Sequence, residues 1–210
     1  TPLTISSENA LTLGGSANGN LANNNASVMN TADDFNNTTT QTLPAAFPKG
    51  FNAFYCMKYE ISQGQYRDFL NVLAYTQQVS RTTAAPNSAA GTGALSNANR
   101  NGLDIQTPGN ATTFVSAVYG SNLNGNGTYN ESVDGENIAC NFLSWMDGAA
   151  FADCAALRPM TELEFEKACR GTLTPLANEF AWGTISITGA TGISNSGAND
   201  EVASNTGANA

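Results

Sequence analysis

Apolar positions along the chain gather into two blocks set among long polar tracts. Phe51, Phe54, Tyr55, Met57 and Tyr59 form a dense aromatic run beginning near Phe47, a pattern that predicts a buried strand. Ser62-Gln63-Gly64-Gln65 follows with capping-box spacing, in which the Ser and Gln side chains satisfy backbone N–H groups at a helix start. Tyr66, Phe69, Leu70 and Leu73 then recur at helical intervals and predict a helix over 63–74. In the second block, from Glu136, Ile138 to Leu143 reads as a strand, and Ser144-Trp145-Met146-Asp147 as the capped start of a helix running to about Ala155. Pro159 closes the connection from Leu157 to Met160. Thr161-Glu162-Leu163-Glu164 is a further capping box, with Phe165, Ala168 and Cys169 on the apolar face of the next helix and Gly171 as its stop.

The remaining segments carry weaker patterns. Residues 1–46 hold short β-like pieces, Leu3-Thr4-Ile5 and Leu11-Thr12-Leu13, separated by the turn formers Gly14-Gly15, Gly19-Asn20 and Asn23-Asn24-Asn25. They predict edge strands or an extended arm that reaches a neighbour and serves self-assembly. Residues 76–136 are rich in Asn, Gly, Ala, Ser and Thr; Phe114, Val115, Val118 and Tyr119 predict one short strand there and turns elsewhere. A tract of that length in a compact domain is a functional insertion or holds structure the pattern does not reveal. The expected organisation is an N-terminal arm, 1–46, and a domain, 47–210, with a low-complexity insertion at 76–136.

Composition narrows the chemistry. The 210 residues are 41% apolar and 12% charged, enough for one domain or one and a half with a real core. A net charge of −9, from 8 Lys and Arg against 17 Asp and Glu, excludes a phosphate-backbone partner, so no nucleic acid is expected. No apolar run approaches the roughly 20 residues of a membrane helix, so no membrane span is expected. The chain opens on Thr1 without a basic stretch followed by an apolar one, so any targeting segment is expected to lie outside it. Histidine is absent, which removes His-based triads, imidazole metal sites and a His general base. An Asn- and Thr-rich, weakly charged surface fits an extracellular or virion protein better than a cytosolic enzyme. Cys56, Cys140, Cys154 and Cys169 allow three pairings and include no CxxC; one or two disulfides are expected, buried thiols being the alternative.

The two blocks together resemble a known family. Phe54-Tyr55-Cys56-Met57-Lys58-Tyr59-Glu60-Ile61-Ser62-Gln63-Gly64-Gln65-Tyr66, on to Phe69-Leu70, looks like the opening strand and helix of the formylglycine-generating enzyme (sulfatase-modifying factor) family. Leu143 to Phe151 is similar to its VSWxDAxAY block, Leu157 to Gly171 to its KRLPTEAEWExAxRG, and Ala181-Trp182-Gly183 to its PWG. The resemblance spans 47–183 apart from the insertion. It implies an α+β, C-type-lectin-like fold: few helices on twisted antiparallel sheets, with much loop. It also implies that the copper-binding, oxidising cysteine pair lies in a C-terminal half that this sequence is expected not to contain, so no catalytic residue is assigned and copper belongs only to a longer enzyme. Cys169 matches a position where some members carry a structural cysteine; Cys154 stands where the family usually has Trp.

Candidate residues follow from these readings. Ser62, Ser144 and Thr161 are expected N-caps, and Trp145, Phe151, Phe165 and Trp182 core. Arg158, Glu162, Glu164 and Arg170 are expected to form an ion-pair and cap network fixing the helices to the sheet. Asn122, Asn124 and Asn126, with Gly127 next, have the oxygen-ligand spacing of an EF-hand-like calcium loop, to which Asn130 and Asp134 (with Glu131 and Glu136 near) add donors. The alternative is a run of Asn-Gly turns. A second oxygen-rich patch holds Asn195, Asn199, Asp200, Glu201 and Asn205. Sequons occur at Asn25, Asn36, Asn37, Asn110, Asn126 and Asn130 and matter only in a secretory setting.

Two functions stay open. One is a secreted or cell-surface binding or structural protein on a non-catalytic scaffold, an adhesin, assembly component or receptor-binding module with a protein or glycan ligand. The other is the N-terminal part of a copper-dependent oxidase that converts a target cysteine to formylglycine.

Overall fold

The computed structural model describes residues 4–17, 19–21, 40–171, 173, 180 and 184–209, and of Arg170 the backbone alone. The chain divides into two compact units, Thr1–Cys56 with Met160–Ser186, and Met57–Pro159 with Ile187–Ala210.

In the first unit, β1 (Leu11–Leu13) pairs antiparallel with β2 (Gln41–Leu43), Leu11 opposite Leu43. Lys49 is almost wholly buried, and its ammonium donates to the carbonyls of Pro44 and Phe47 at 2.8 Å each and of Glu8 at 3.3 Å. Three carbonyls match the three N–H donors, which is what makes a buried ammonium tolerable. The Glu8 carboxylate in turn accepts from the backbone N–H of Lys49 at 2.7 Å and of Asn52 at 3.1 Å. Helix α4 (Glu162–Arg170) starts at Thr161, whose hydroxyl accepts from Glu164 N, while the Glu164 carboxylate accepts from Thr161 N. Gly171, at φ +65°, ends it by donating its N–H to Lys167 O.

The second unit holds α1 (Gln63–Val72), α2 (Tyr75–Val79), β3 (Leu103–Thr107), β4 (Val118–Ser121), α3 (Trp145–Cys154), β5 (Ile193–Ser194) and β6 (Val202–Ala203). Strands β3 and β4 pair antiparallel, as do β5 and β6. Helix α1 begins with the Ser62/Gln65 capping box and stops at Val72, two residues short of the expected end, because Leu73 turns extended; α2 follows at once. The core joins Tyr66, Phe69 and Leu70 of α1 to Leu103 and Ile105 of β3, Tyr119 of β4, Ala94, Leu95, Ala117 and Phe151 of α3. The Phe69 and Phe151 rings meet edge to face at 5.8 Å.

Several expectations are corrected. The 76–136 tract is not one strand among turns: it supplies Ala94, Leu95, Leu103, Ile105, Ala117 and Tyr119 to the core. Its elements are short, their periodicity is hidden in a tract rich in Asn, Gly, Ala, Ser and Thr, and they are held by side-chain amides. Buried Gln63 donates to Arg100 O at 2.7 Å and accepts from Gly102 N at 2.8 Å. Asn71 brackets Tyr119 in the same way, donating to its carbonyl at 3.0 Å and accepting its N–H at 2.8 Å.

The aromatic run is not a buried strand: no strand is formed over 51–61, and Tyr55 and Tyr59 are exposed. A strand needs a ladder, and the segment's backbone pairing begins only at its end, where Cys140 N donates to Ile61 O and Ser62 bridges Ala139. For the same reason 138–143 forms that single bridge rather than a strand, with Phe142 at φ +62°. Trp145 and Phe165, expected in the core, are 72% and 52% exposed; both sit on the outward faces of their helices, whereas Phe151 packs inward. All four cysteines are free thiols, against the expected disulfides.

Four α-helices and three small two-stranded antiparallel sheets among the described residues make this an α+β chain. No described helix is long and apolar enough to cross a membrane.

Candidate functional site

Strand β3 alternates by the ordinary pleat: Leu103 and Ile105 point into the core, while Asp104 and Gln106 face the other way. That second face lines a pocket of about 670 Å³. Its far wall is the 90–102 segment, which runs along β3 through Ala94 N to Leu103 O at 2.7 Å and Ile105 N to Thr92 O at 2.8 Å. This segment brings Gly91, Asn97 and Arg100 to the rim. Beyond β4 the chain continues as Asn122, Leu123 and a Gly-rich turn to Tyr129, closing the pocket's other side.

Two glycines set the pocket's shape. A side-chain carbon at Gly102 would lie 2.7 Å from Leu123 Cα, and one at Gly120 would lie 2.7 Å from the Tyr129 ring and 2.8 Å from Gln106 Oε1. Both positions therefore need a residue without Cβ. Arg67 of α1 anchors the loop: it pairs with Glu136 and donates to Asn130 Oδ1 at 2.8 Å and Ser121 Oγ at 3.2 Å. Arg100 pairs with Glu201 and donates to Ser196 Oγ, which ties the β5–β6 hairpin region to the pocket wall.

Burial pushes the Asp104 carboxyl up from its ordinary value; the bond from Asn122 Nδ2 at 3.0 Å opposes this, and the charge of Asp134 adds to it. Burial also raises the Tyr129 phenol, with Asp104 second. The lining is thus one carboxylate, one guanidinium, several amides, exposed backbone and an aromatic ring, with no thiol among the described lining residues. Such a surface can exchange hydrogen bonds with a polar ligand and stack against an apolar ring face.

A family model, the sulfatase-modifying factor enzyme 1-like domain, matches residues 11–209. The chain belongs to that family. No curated protein and no solved structure matches it.

Within this sulfatase-modifying factor domain the residues singled out above separate into groups. Ser62, Ser144 and Thr161 each cap a helix, and each cap residue donates its own N–H to the side-chain oxygen of the residue three positions on. Glu164 is buried and acts in that cap, Glu162 stands exposed in the first turn, and Arg158 donates to Pro159 O at 3.1 Å. The Arg170 side chain and Trp182 lie outside the described residues.

The proposed calcium loop is divided. Asn124 and Asn126 use their oxygens to accept backbone N–H from Asn126 and Thr128, and their amides both donate to Glu131 Oε2. These two are Asx turns rather than inward-facing ligands. Asn122 likewise spends its oxygen on Gly127 N, at 3.2 Å, and turns its amide N–H inward onto Asp104; Asp134 is fully buried. In the second patch Asn195 donates to Asp200, Asn199 accepts from Asn137, Glu201 holds Arg100, and Asn205 accepts from Thr191. Sequons Asn25, Asn36 and Asn37 lie outside the described residues; Asn110 Oδ1 accepts from Thr112 N and Thr113 N, Asn126 is in its turn, and Asn130 Oδ1 accepts from Arg67 and Ser121 N.

Arg100, Asp104, Gln106 and Tyr129 were missed. The signal was present in Leu103-Asp104-Ile105-Gln106, a two-residue alternation inside a tract whose composition hides it.

Proposed function

We propose that this domain is a binding module on a C-type-lectin-like scaffold of the sulfatase-modifying factor family, acting outside the cell or at a cell surface, and that its pocket takes a glycan terminus. The pocket carries the reading. Its volume of about 670 Å³ falls in the range of small-ligand sites and suits a mono- or disaccharide rather than a folded partner. Neutral sugars present many hydroxyls, each donor and acceptor, with apolar ring faces between them. The amides of Asn97 and Gln106, the Asp104 carboxylate and the Tyr129 ring offer the matching set. The low charge of the chain supports a ligand that is not held by ion pairing.

The test is binding of the purified chain to an array of immobilised oligosaccharides, with Asn97→Trp as the blocking variant, since Asn97 is exposed at the rim. Binding to a subset of glycans, lost in the variant at an unchanged thermal midpoint, is expected. Absence of binding to every glycan would overturn the glycan reading. Copper-dependent oxidation of a cysteine peptide by the chain would replace it with the oxidase alternative that the family description raises.

A further inference from the structure

The pocket wall carries one buried acid that no described cation neutralises. Asp104 is nine-tenths buried and lines the pocket from β3. Its Oδ2 accepts from Asn122 Nδ2 at 3.0 Å, and Asn122 is fixed in that pose because its own Oδ1 accepts from Gly127 N at 3.2 Å. The other carboxylate oxygen, Oδ1, has no hydrogen-bond partner among the described residues and is not enclosed by them, so it opens on the cavity. Arg100 is the one cation in the described lining, and it is committed elsewhere. Its Nη1 donates to Glu201 Oε1 at 3.0 Å, while Nη2 donates to Glu201 Oε2 and, at 3.2 Å, to Ser196 Oγ. None of the described ion pairs includes Asp104.

Such a group acts on a ligand in two ways. A hydroxyl that donates to an ionised oxygen makes a stronger hydrogen bond than one that donates to a neutral oxygen. An anion brought to the same place is repelled, and the repulsion grows as water is excluded. A ligand carboxylate or sulfate would therefore need a counter-charge, and the Arg100 guanidinium is already paired with Glu201.

We propose that Asp104 sets the specificity of the pocket: its Oδ1 accepts a hydroxyl of an uncharged sugar, and its charge shuts out sugars that carry an acid, namely uronic acids, sialic acids and sulfated residues. The inference rests on the glycan reading and adds to it the class of glycan. Gln106 stands two residues on along the same face of β3, and Asn97 stands at the rim. Neither side-chain amide has a described hydrogen-bond partner, so both can exchange bonds with the remaining hydroxyls of a sugar whose orientation Asp104 fixes.

The experiment prints neutral oligosaccharides beside the same oligosaccharides ended by a uronic acid, a sialic acid or a sulfated sugar, and probes them with the purified chain and with Asp104→Asn. The strongest neutral hit and its acidic counterpart are then titrated by calorimetry. Wild type is expected to bind the neutral member at least about tenfold more tightly. Asp104→Asn keeps the shape and the bond from Asn122, so it is expected to weaken the neutral ligand by about tenfold and to narrow the preference to within about threefold, without lowering the thermal midpoint. Wild type that binds acidic members as tightly as neutral ones overturns the inference and leaves the glycan reading standing, and this comparison does not depend on the variant folding. A preference that survives unchanged in a folded Asp104→Asn has the same meaning. No binding to any printed glycan overturns the glycan reading and this inference together.

Discussion

The side chain of Gln78 holds both backbone groups of Ala117: Oε1 accepts its N–H at 2.9 Å, and Nε2 donates to its carbonyl at 3.0 Å. The same Nε2 also reaches Leu70 O at 3.1 Å, so a single buried amide joins α1, α2 and the residue entering β4. Gln78→Leu keeps the volume and leaves the N–H and the carbonyl of Ala117 unpaired in the core, while Leu70 O keeps its bond from Leu73 N. It is expected to lower unfolding free energy by about 2–4 kcal/mol, since each unsatisfied buried group costs roughly 1–3 kcal/mol. Urea denaturation checks this; a change below about 0.5 kcal/mol would mean that water replaces the amide.

Ile105 is fully buried at the centre of the tract whose composition suggests loop. Ile105→Ala is expected to cost about 2–5 kcal/mol, the range for a large aliphatic cut back in a packed core. Val133→Ala, at a 43% exposed position in the same tract, should cost little by comparison. Equal, small effects would show that the insertion contributes no core.

The cap of α3 makes stability depend on pH. Burial pushes the Asp147 carboxyl up, but the Ser144 hydroxyl and N–H and the Arg81 guanidinium outweigh that, so its pKa falls below the ordinary 3.8. A depressed folded pKa gives stability that is present above the unfolded value and lost as pH falls through the folded one. Ser144→Ala is therefore expected to cost about 1 kcal/mol near neutral pH, and less once acid protonates Asp147. Denaturation at pH 7 and near pH 2 reads the difference; a cost that stays constant would detach the cap from the carboxylate.

The thiols should differ in reactivity. Burial pushes Cys140 up to about 12, and its Sγ donates to Asn141 O at 3.7 Å, whereas Cys56, Cys154 and Cys169 are exposed. The thiolate is the reacting form, so alkylation of the native chain at pH 8 should label the three exposed cysteines and spare Cys140 until urea is added. Mass mapping that finds Cys140 labelled alongside the others would contradict this packing.

Local chemistry was readable in advance. Ser62, Ser144, Thr161 and Gly171 act through groups three or four positions away, so their patterns carry the helix starts and the last stop. Even there the side a helix presents was not readable. Trp145 and Phe165 look like core residues by type, yet they face outward because the packed stripe runs through Phe151 and the buried Glu164. The Asn122 to Asp134 region shows the same limit. Oxygen donors were visible, but which of them turn inward depends on Glu131 collecting the amides of Asn124 and Asn126.

By itself, then, the order of residues determined the α+β class, the family, the helix caps and a surface poor in charge. Tertiary structure alone decided that the 76–136 tract supplies much of the core, that the aromatic run forms no strand, and that Asp104 meets Asn122. The reason is the range of the forces involved. Caps and periodicity are set within one turn of chain, whereas the side-chain contacts that build the core and the pocket join residues far apart in sequence, as with Asp104 and Asn122 or Asn71 and Tyr119.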